Sequence, residues 1–284
     1  MKKLITGIIG LGYVGKAIYN AIPDAQTYDV NPEIETTCKT ISQMMERVDL
    51  VYVCVPTPMT KCGDCDTSIV VSVVSEIAIT SASPKIIIIK STVPPSTTQK
   101  LQDLHSQHEI LFSPEFLTEA NHKTDYLNQR IMIIGYAGEV HRKTASKVLE
   151  HQLLHVQDVG YATILDATTA ELYKYVTNTF LATKVAFSNE MYKVAKKLNV
   201  DWNDIASIAK HDDRLGNSHW NVPGPDGHFG FGGTCLPKDL SAMIEIAESL
   251  GVPVHILNMV EARNVLIDRP ERDWEKLKGR AVSE

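Results

Sequence analysis

Near its start the chain runs an apolar stretch, Leu4 to Gly10, straight into G-x-G-x-x-G at Gly10, Gly12 and Gly15. "LITGIIG" predicts a strand and "YVGKAIYNAI" a helix, and a second short strand, "AQTYDV", ends near Asp29, 19 residues after Gly10. A strand, a glycine turn and a helix in that order let backbone approach a pyrophosphate, whose charge the helix N-terminus stabilises. An acid ~20 residues on reaches a ribose hydroxyl and disfavours a 2′-phosphate. Gly10, Gly12, Tyr13, Val14, Gly15 and Asp29 are therefore candidate contacts to a dinucleotide, with NAD expected over NADP. A glycine turn without a ligand has the same local pattern. Gly10, Gly15 and Lys16 also satisfy the opening of a nucleoside-triphosphate loop, but Ala17 follows and has no hydroxyl for Mg²⁺.

The alternation continues in "DLVYVCVP", "KIIIIKSTVP", "EILFSP" and "RIMIIG", apolar runs of strand length, several of them separated by segments of helical character. Near-continuous hydrophobicity indicates strands buried on both faces of a parallel sheet. The expected fold is thus α/β: a Rossmann-like, doubly wound parallel sheet over residues 1–160, followed by a central helical region over residues 161–284. Loops after such strands gather at the carboxyl edge, where ligands bind. That edge is where Thr57, Thr92, Glu115 and Glu119 are expected, although each also fits a plain turn or cap residue.

Between Tyr161 and Asn199 there is neither glycine nor proline. Asp166 to Val200 therefore reads as one helix, on the order of 50 Å long at ~1.5 Å per residue. A helix that long leaves an apolar stripe for something else to cover, and a second copy of the chain is the economical cover. Lys174 and Asn178 are four apart, so they share a helix face. Two donors on one face can stabilise an oxygen that gains negative charge; a solvated Lys beside an unrelated Asn fits the spacing at least as well. A shorter helix is expected from Asp201 to Lys210. After it comes a Gly/Pro-rich segment of nearly 30 residues ending in "FGFGGTCLPKD", and long irregular segments of this kind are usually functional or disordered. Cys235 follows glycines and precedes Lys238 and Asp239, which is no setting for a core thiol.

Composition narrows the classes. With 28 Lys+Arg against 34 Asp+Glu, net charge about −6 and no long basic run, a nucleic-acid platform is not expected. The two lysines of "MKKLITGIIGLG" precede an apolar stretch that runs into glycines without a cleavage site, so it reads as a first strand rather than a leader. No apolar run approaches the ~20 residues that span a bilayer. Five scattered cysteines suit a reducing cytoplasm. Cys62 and Cys65 form a C-x-x-C with no second ligand pair, and His211, His219 and His228 are irregularly spaced, so no metal is expected.

Six segments in register, "GIIGLGYVG", "VPTP", "KSTVPP", "SPEFLTEA", "AELYKYVTNTFLATKVAFSNE" and "GFGGTCLPKDL", closely resemble the UDP-glucose/GDP-mannose dehydrogenases, from the first strand to about residue 265. The resemblance implies oxidation of a sugar C6 alcohol to a carboxylate by two hydride transfers to NAD⁺. It makes Cys235 the nucleophile that adds to the C6 aldehyde, passing from thiohemiacetal to thioester, and sulfur suits both roles. Lys174 and Asn178 hold the C6 oxygen, Glu115 acts as base for thioester hydrolysis, and Thr92 and Asp239 position the water. Glu119 and Thr57 lie by the cofactor, with Thr92 and Lys238. From the residues themselves, Lys238 and the turn's amides are expected to lower the thiol pKa. Backbone at Phe116 and Leu117, the Phe231 ring and Gly232 line the sugar pocket, and Arg214 reaches into a neighbouring subunit's site. "PEFL" is similar to the glucose and mannose branch, with UDP-glucose the first expectation and GDP-mannose the second.

Members of that family continue into a third, Rossmann-like domain that grips the nucleotide of the sugar, for which this sequence has no room after residue 265. Three arrangements follow: a compact dehydrogenase closed by dimer contacts, a catalytic fragment served by a separate chain, or a non-catalytic NAD-binding or assembly protein. Cys235, Lys174, Asn178 and Asp239 together argue against the last, because binding alone needs none of them.

Overall fold

The computed structural model describes residues 4–283, so Met1–Lys3, which open the segment read as a strand, lie outside the described residues. The chain divides into two compact units. The first takes residues up to Thr57 and Thr67–Lys174; the second takes Pro58–Asp66 and the residues from Tyr175 onward.

In the first unit, strands β1 (Thr6–Ile9), β2 (Gln26–Tyr28), β3 (Leu50–Val53), β4 (Ile86–Ile89), β5 (Glu109–Phe112), β6 (Asn128–Tyr136) and β7 (Asp158–Asp166) form one sheet in the order β2-β1-β3-β4-β5-β6-β7. Pairing is parallel throughout except between β5 and β6, where Leu111 faces Tyr136 and Phe112 faces Gly135 in antiparallel register. Helices α1 (Tyr13–Ala21), α2 (Ile41–Met45), α3 (Ser68–Thr80), α4 (Thr97–Leu104), α5 (His122–Leu127) and α6 (Arg142–Leu153) cover it.

Side chains alternate across a strand, and β3 and β4 are apolar at every position because both faces are covered. The row Ile8, Tyr52, Ile88, Leu111 packs with Ala17 and Ile18 of α1, Tyr126 of α5 and Val148 of α6. The next row, Ile9, Val53, Ile89, Phe112, packs with Met44 of α2, Val74 and Ile77 of α3 and Leu101 of α4. This is the double winding expected from the hydrophobic runs. β7 was not expected: its side chains are largely exposed or half-buried along its length, so it lacks the continuous apolar run that marked the others.

Helix α7 (Ala167–Lys197) is the long helix anticipated from the stretch without glycine or proline, and the boundary between units falls within it, after Lys174. Its first turn meets the sheet closely: a Cβ on Gly135 of β6 would come within 2.9 Å of the Ala167 Cα. Glu171, fully buried, accepts hydrogen bonds from the Ser96 and Thr98 amides at 2.6 and 2.8 Å and from the Thr98 hydroxyl at 2.6 Å. It thereby does for the start of α4 what the Ser96 side chain does not, satisfying donors that helix N-termini leave open.

The second unit is helical: the rest of α7, α8 (Trp202–Lys210), α9 (Leu236–Ser249) and α10 (His255–Arg263). Asp201 caps α8 by accepting from the Asn203 amide at 2.9 Å. Residues 58–66 join this unit rather than the sheet. Met59 bridges to Cys65, and its N–H and C=O bond Ala281 and Ser283 at 2.9 and 2.8 Å. No helix among the described residues is long and apolar enough to cross a membrane.

Candidate active site

The glycine turn stands at the carboxyl end of β1. Gly10 has φ +88°, and a Cβ there would lie 2.6 Å from the Cys54 carbonyl oxygen, so only glycine fits. Gly15 is shut against the Gly10 carbonyl, whereas a Cβ on Gly12 would meet nothing within 4 Å. The first amides of α1 carry no side-chain cap. An open backbone cradle beneath an uncapped helix N-terminus fits an anionic pyrophosphate. Asp29 closes the turn: its Oδ2 accepts from the Leu11 amide at 2.6 Å and its Oδ1 from the Asn31 amide at 2.8 Å. Tyr13 and Val14 open α1, with Tyr13 edge-on to His122 at 5.4 Å. Thr57 is buried after β3, and Thr92 is half-buried in the loop after β4.

The loop after β5 carries the densest chemistry of this unit. Lys174, 4% exposed, donates to the Glu115 carbonyl at 2.6 Å and to its carboxylate at 3.3 Å. The Leu117 amide donates to the other carboxylate oxygen at 2.8 Å. Lys174 also stands 5.2 Å over the Phe116 ring, which packs edge-on to Tyr173. Burial alone would raise the Glu115 pKa; Lys174, the Leu117 amide and Lys90 outweigh it and hold the carboxyl below its ordinary value. Glu119, four residues on, is exposed, and its carbonyl bonds His122 at 2.9 Å.

In the second unit Cys235 is an exposed thiol at the N-cap of α9, a helix whose first turn has a proline and no side-chain cap. Asp239, 1% exposed and one turn on, accepts from Asn178 and from Lys238, each at 2.5 Å. Burial works to discharge Lys238, but Asp239, Cys65 and Cys235 hold its pKa above the ordinary lysine value. Lys238 is thus a permanent cation beside two sulfurs. Phe231 is buried, its backbone N–H and C=O both bonded to Asn264 at 2.9 Å. It lines a cavity of about 540 Å³ with Lys61, Glu261 and Trp274. A Cβ on Gly232 would strike the Arg269 guanidinium at 2.5 Å. Arg269 ties that loop down through Asp226 and Asp273 at 2.6 to 2.7 Å. Arg214 lies exposed and forks onto Asp212 at 2.6 and 2.9 Å. Among the described residues no group of three or more His, Cys, Asp and Glu is placed to hold a metal ion.

Each unit therefore gathers its own part of the expected set: Glu115, Phe116, Leu117 and Lys174 in the first, Asn178, Cys235, Lys238 and Asp239 in the second. Lys90, Glu171, Asn264 and Arg269 were not expected. A lysine next to "STVPP" reads as a loop charge, and the last two act on partners some 33 to 43 residues away in sequence.

Two family models match this chain. Residues 18–153 match the NAD binding domain of the UDP-glucose/GDP-mannose dehydrogenase family, and residues 168–265 match its central domain. The chain belongs to that family. The cofactor expected from the glycine turn and Asp29, NAD, is the one the matched domain binds. Among similar proteins, a UDP-glucose 6-dehydrogenase of Rickettsia bellii is 32% identical over 78% of this chain and 50% of its own length. The Bacillus subtilis UDP-glucose 6-dehydrogenase TuaD is 30% identical over 83% of this chain and 51% of its own. A UDP-glucose dehydrogenase structure from Pyrobaculum islandicum superimposes with TM-score 0.79 at 26% identity, covering 90% of this chain and 67% of that one. The chain spans about half the length of the curated relatives it matches.

The depressed Glu115 pKa fixes how the pair responds to acid. A carboxyl held below its unfolded value adds stability above that value and loses it as pH falls through the folded one. Glu115→Gln should cost about 3 kcal/mol or more at neutral pH by leaving Lys174 buried without its anion. The gap between wild type and variant should close on acidification below about 4.5, the ordinary value; denaturant melts across that range measure it, and a gap independent of pH contradicts the pairing.

Proposed function

We propose that this chain carries the cofactor-binding and nucleophile-bearing parts of an NAD-dependent nucleotide-sugar 6-dehydrogenase, and that its substrate is UDP-glucose, oxidised to UDP-glucuronate. The observation that carries the reading is the setting of Cys235, an exposed thiol at an uncapped helix N-terminus with Lys238 and Asp239 one turn on and Asn178 bonded to Asp239. Cys54, by contrast, is pushed up to about 12 by burial and has no comparable reactivity.

The first unit, up to Thr57 and Thr67–Lys174, acts as the NAD-binding part, with the glycine turn and Asp29 holding the cofactor beside Thr57, Thr92 and Glu119. The cofactor's chemistry is to accept a hydride in each of two oxidations. Lys174 and Asn178 are the donors for the C6 oxygen while it carries negative charge. The Cys235 thiolate adds to the C6 aldehyde, and the sulfur stays bonded to C6 as the thiohemiacetal becomes a thioester. Water then attacks the thioester carbon; its proton passes to Glu115, the C–S bond breaks and Cys235 leaves as thiolate. Held ionised chiefly by Lys174, the Glu115 carboxylate is present in the form that accepts that proton. Thr92 and Asp239 orient the water, Lys238 steadies the thiolate, and Phe116, Leu117, Phe231 and Gly232 shape the sugar site.

The assembly is a homodimer through α7. Leu172, Val176, Phe180, Phe187 and Val194 recur at helical spacing, 39 to 63% exposed, an apolar stripe that a second α7 would bury. Arg214, exposed on its loop, would have to exchange its pairing with Asp212 to serve a neighbouring copy. Phe180→Glu with Phe187→Glu should convert a dimer to a folded monomer in sedimentation; a wild-type monomer at micromolar concentration defeats the assignment.

Turnover tests the activity. Purified chain with NAD⁺ and UDP-glucose should release two reduced cofactors per sugar, followed by near-ultraviolet absorbance, and Cys235→Ser should lower the rate by ~10³-fold or more. Turnover on GDP-mannose alone moves the substrate, and NAD⁺ binding without turnover of either sugar overturns the dehydrogenase reading.

A further inference from the structure

Lys90 stands at the end of β4, 3% exposed, with its ammonium donating to the Ser113 hydroxyl at 3.1 Å and to the Pro114 carbonyl at 3.3 Å. Both acceptors belong to the segment that leads directly into Glu115. Any neutral donor of similar reach would satisfy them, so the hydrogen bonds alone give no reason for an ion at this depth, where desolvation is costly. The charged and titratable groups facing Lys90 are Cys54 from the end of β3, Glu115 from the loop after β5 and Lys174 from α7. Burial keeps the Cys54 thiol neutral, which leaves the Glu115 carboxylate as the anion that answers the charge.

We infer that Lys90 is a positioning residue for Glu115: beneath the Ser113–Pro114 backbone it fixes the segment that presents the carboxylate and adds a second positive charge beside it. Two cations then flank one anion. Lys174 grips Glu115 directly, whereas Lys90 acts from below through the chain. Burial lowers the Lys90 pKa to about 8, with Cys54 and Glu115 opposing and Lys174 assisting. Below that pH Lys90 is an ammonium and Glu115 a weak base. Above it Lys90 turns neutral, its charge beside the carboxylate is gone, and Glu115 becomes the stronger proton acceptor. The alkaline side of neutrality is where a carboxylate charged with taking a proton from water gains most from this arrangement.

The inference deepens the reading of Glu115 as the base of the proposed reaction, but its test needs neither substrate nor turnover, so a chain inactive on every sugar leaves the outcome intact. Carboxyl-carbon NMR of protein labelled at the glutamate side chain, with Glu115 assigned by the signal lost in Glu115→Gln, follows the titration directly. In wild type the Glu115 signal should titrate at acid pH and move again near pH 8 as Lys90 loses its proton. Lys90→Gln, which keeps a donor for Ser113 and Pro114 without the charge, should raise the acid midpoint by about half a pH unit or more and abolish the second step. A folded Lys90→Gln with the wild-type midpoint, or a wild-type signal flat through pH 8, overturns the assignment; should the variant fail to fold, the wild-type step decides alone.

Discussion

An ammonium with the exposure of Lys174, 4%, persists only where acceptors replace the water it has lost. Glu115 supplies two, its carbonyl and its carboxylate, and this contact fixes helix α7 to the loop after β5. Glu171, one turn earlier, adds a second buried contact by accepting from the start of α4, while burial pushes its pKa up to about 7. Two buried polar side chains in successive turns of one helix therefore lock it to loops at the carboxyl edge of the sheet. Since Ala167 also crowds Gly135, the helix has little freedom to shift at this end. The proposed chemistry and the architecture of the first unit share these residues, so a change that loosens one loosens both.

The second unit solves a different problem. The thiol proposed as nucleophile must stay accessible while its neighbours stay ordered. Cys235 is exposed, but Asp239 beneath it is buried and bonded to Asn178 of α7 and to Lys238 of its own helix. The glycine-rich turn before it is held by Asn264 and Arg269 rather than by apolar packing. A polar frame of this kind fixes geometry where small residues leave nothing to pack.

Much of this was legible in the residues. The runs that became β1, β3, β4, β5 and β6 are continuous because both faces of the sheet are buried, and α7 announced itself by lacking breakers. Gly10, Gly12, Gly15 and Asp29 are close in sequence, so their turn could be read locally. β7 escaped because an edge strand is half in water and loses the pattern. The antiparallel β5–β6 pair escaped because an apolar run carries no direction. Lys90 and Glu171 were hidden for a deeper reason: charge in a sequence reads as surface, and only the fold shows which charges are enclosed. Pro58–Asp66 follows β3 in the chain, yet it packs in the other unit, through the partners Ala281 and Ser283 more than 200 residues on.

The proposed mechanism turns on a covalent bond between Cys235 and the sugar, and acid quenching reads it directly because thioesters survive acid. Wild-type chain turning over UDP-glucose with NAD⁺ should be stopped within a single turnover, digested and mapped by mass spectrometry. The account predicts a nucleotide-sugar acyl group on the peptide that carries Cys235. Sugar acid accumulating while Cys235 stays unmodified at every quench time would contradict it.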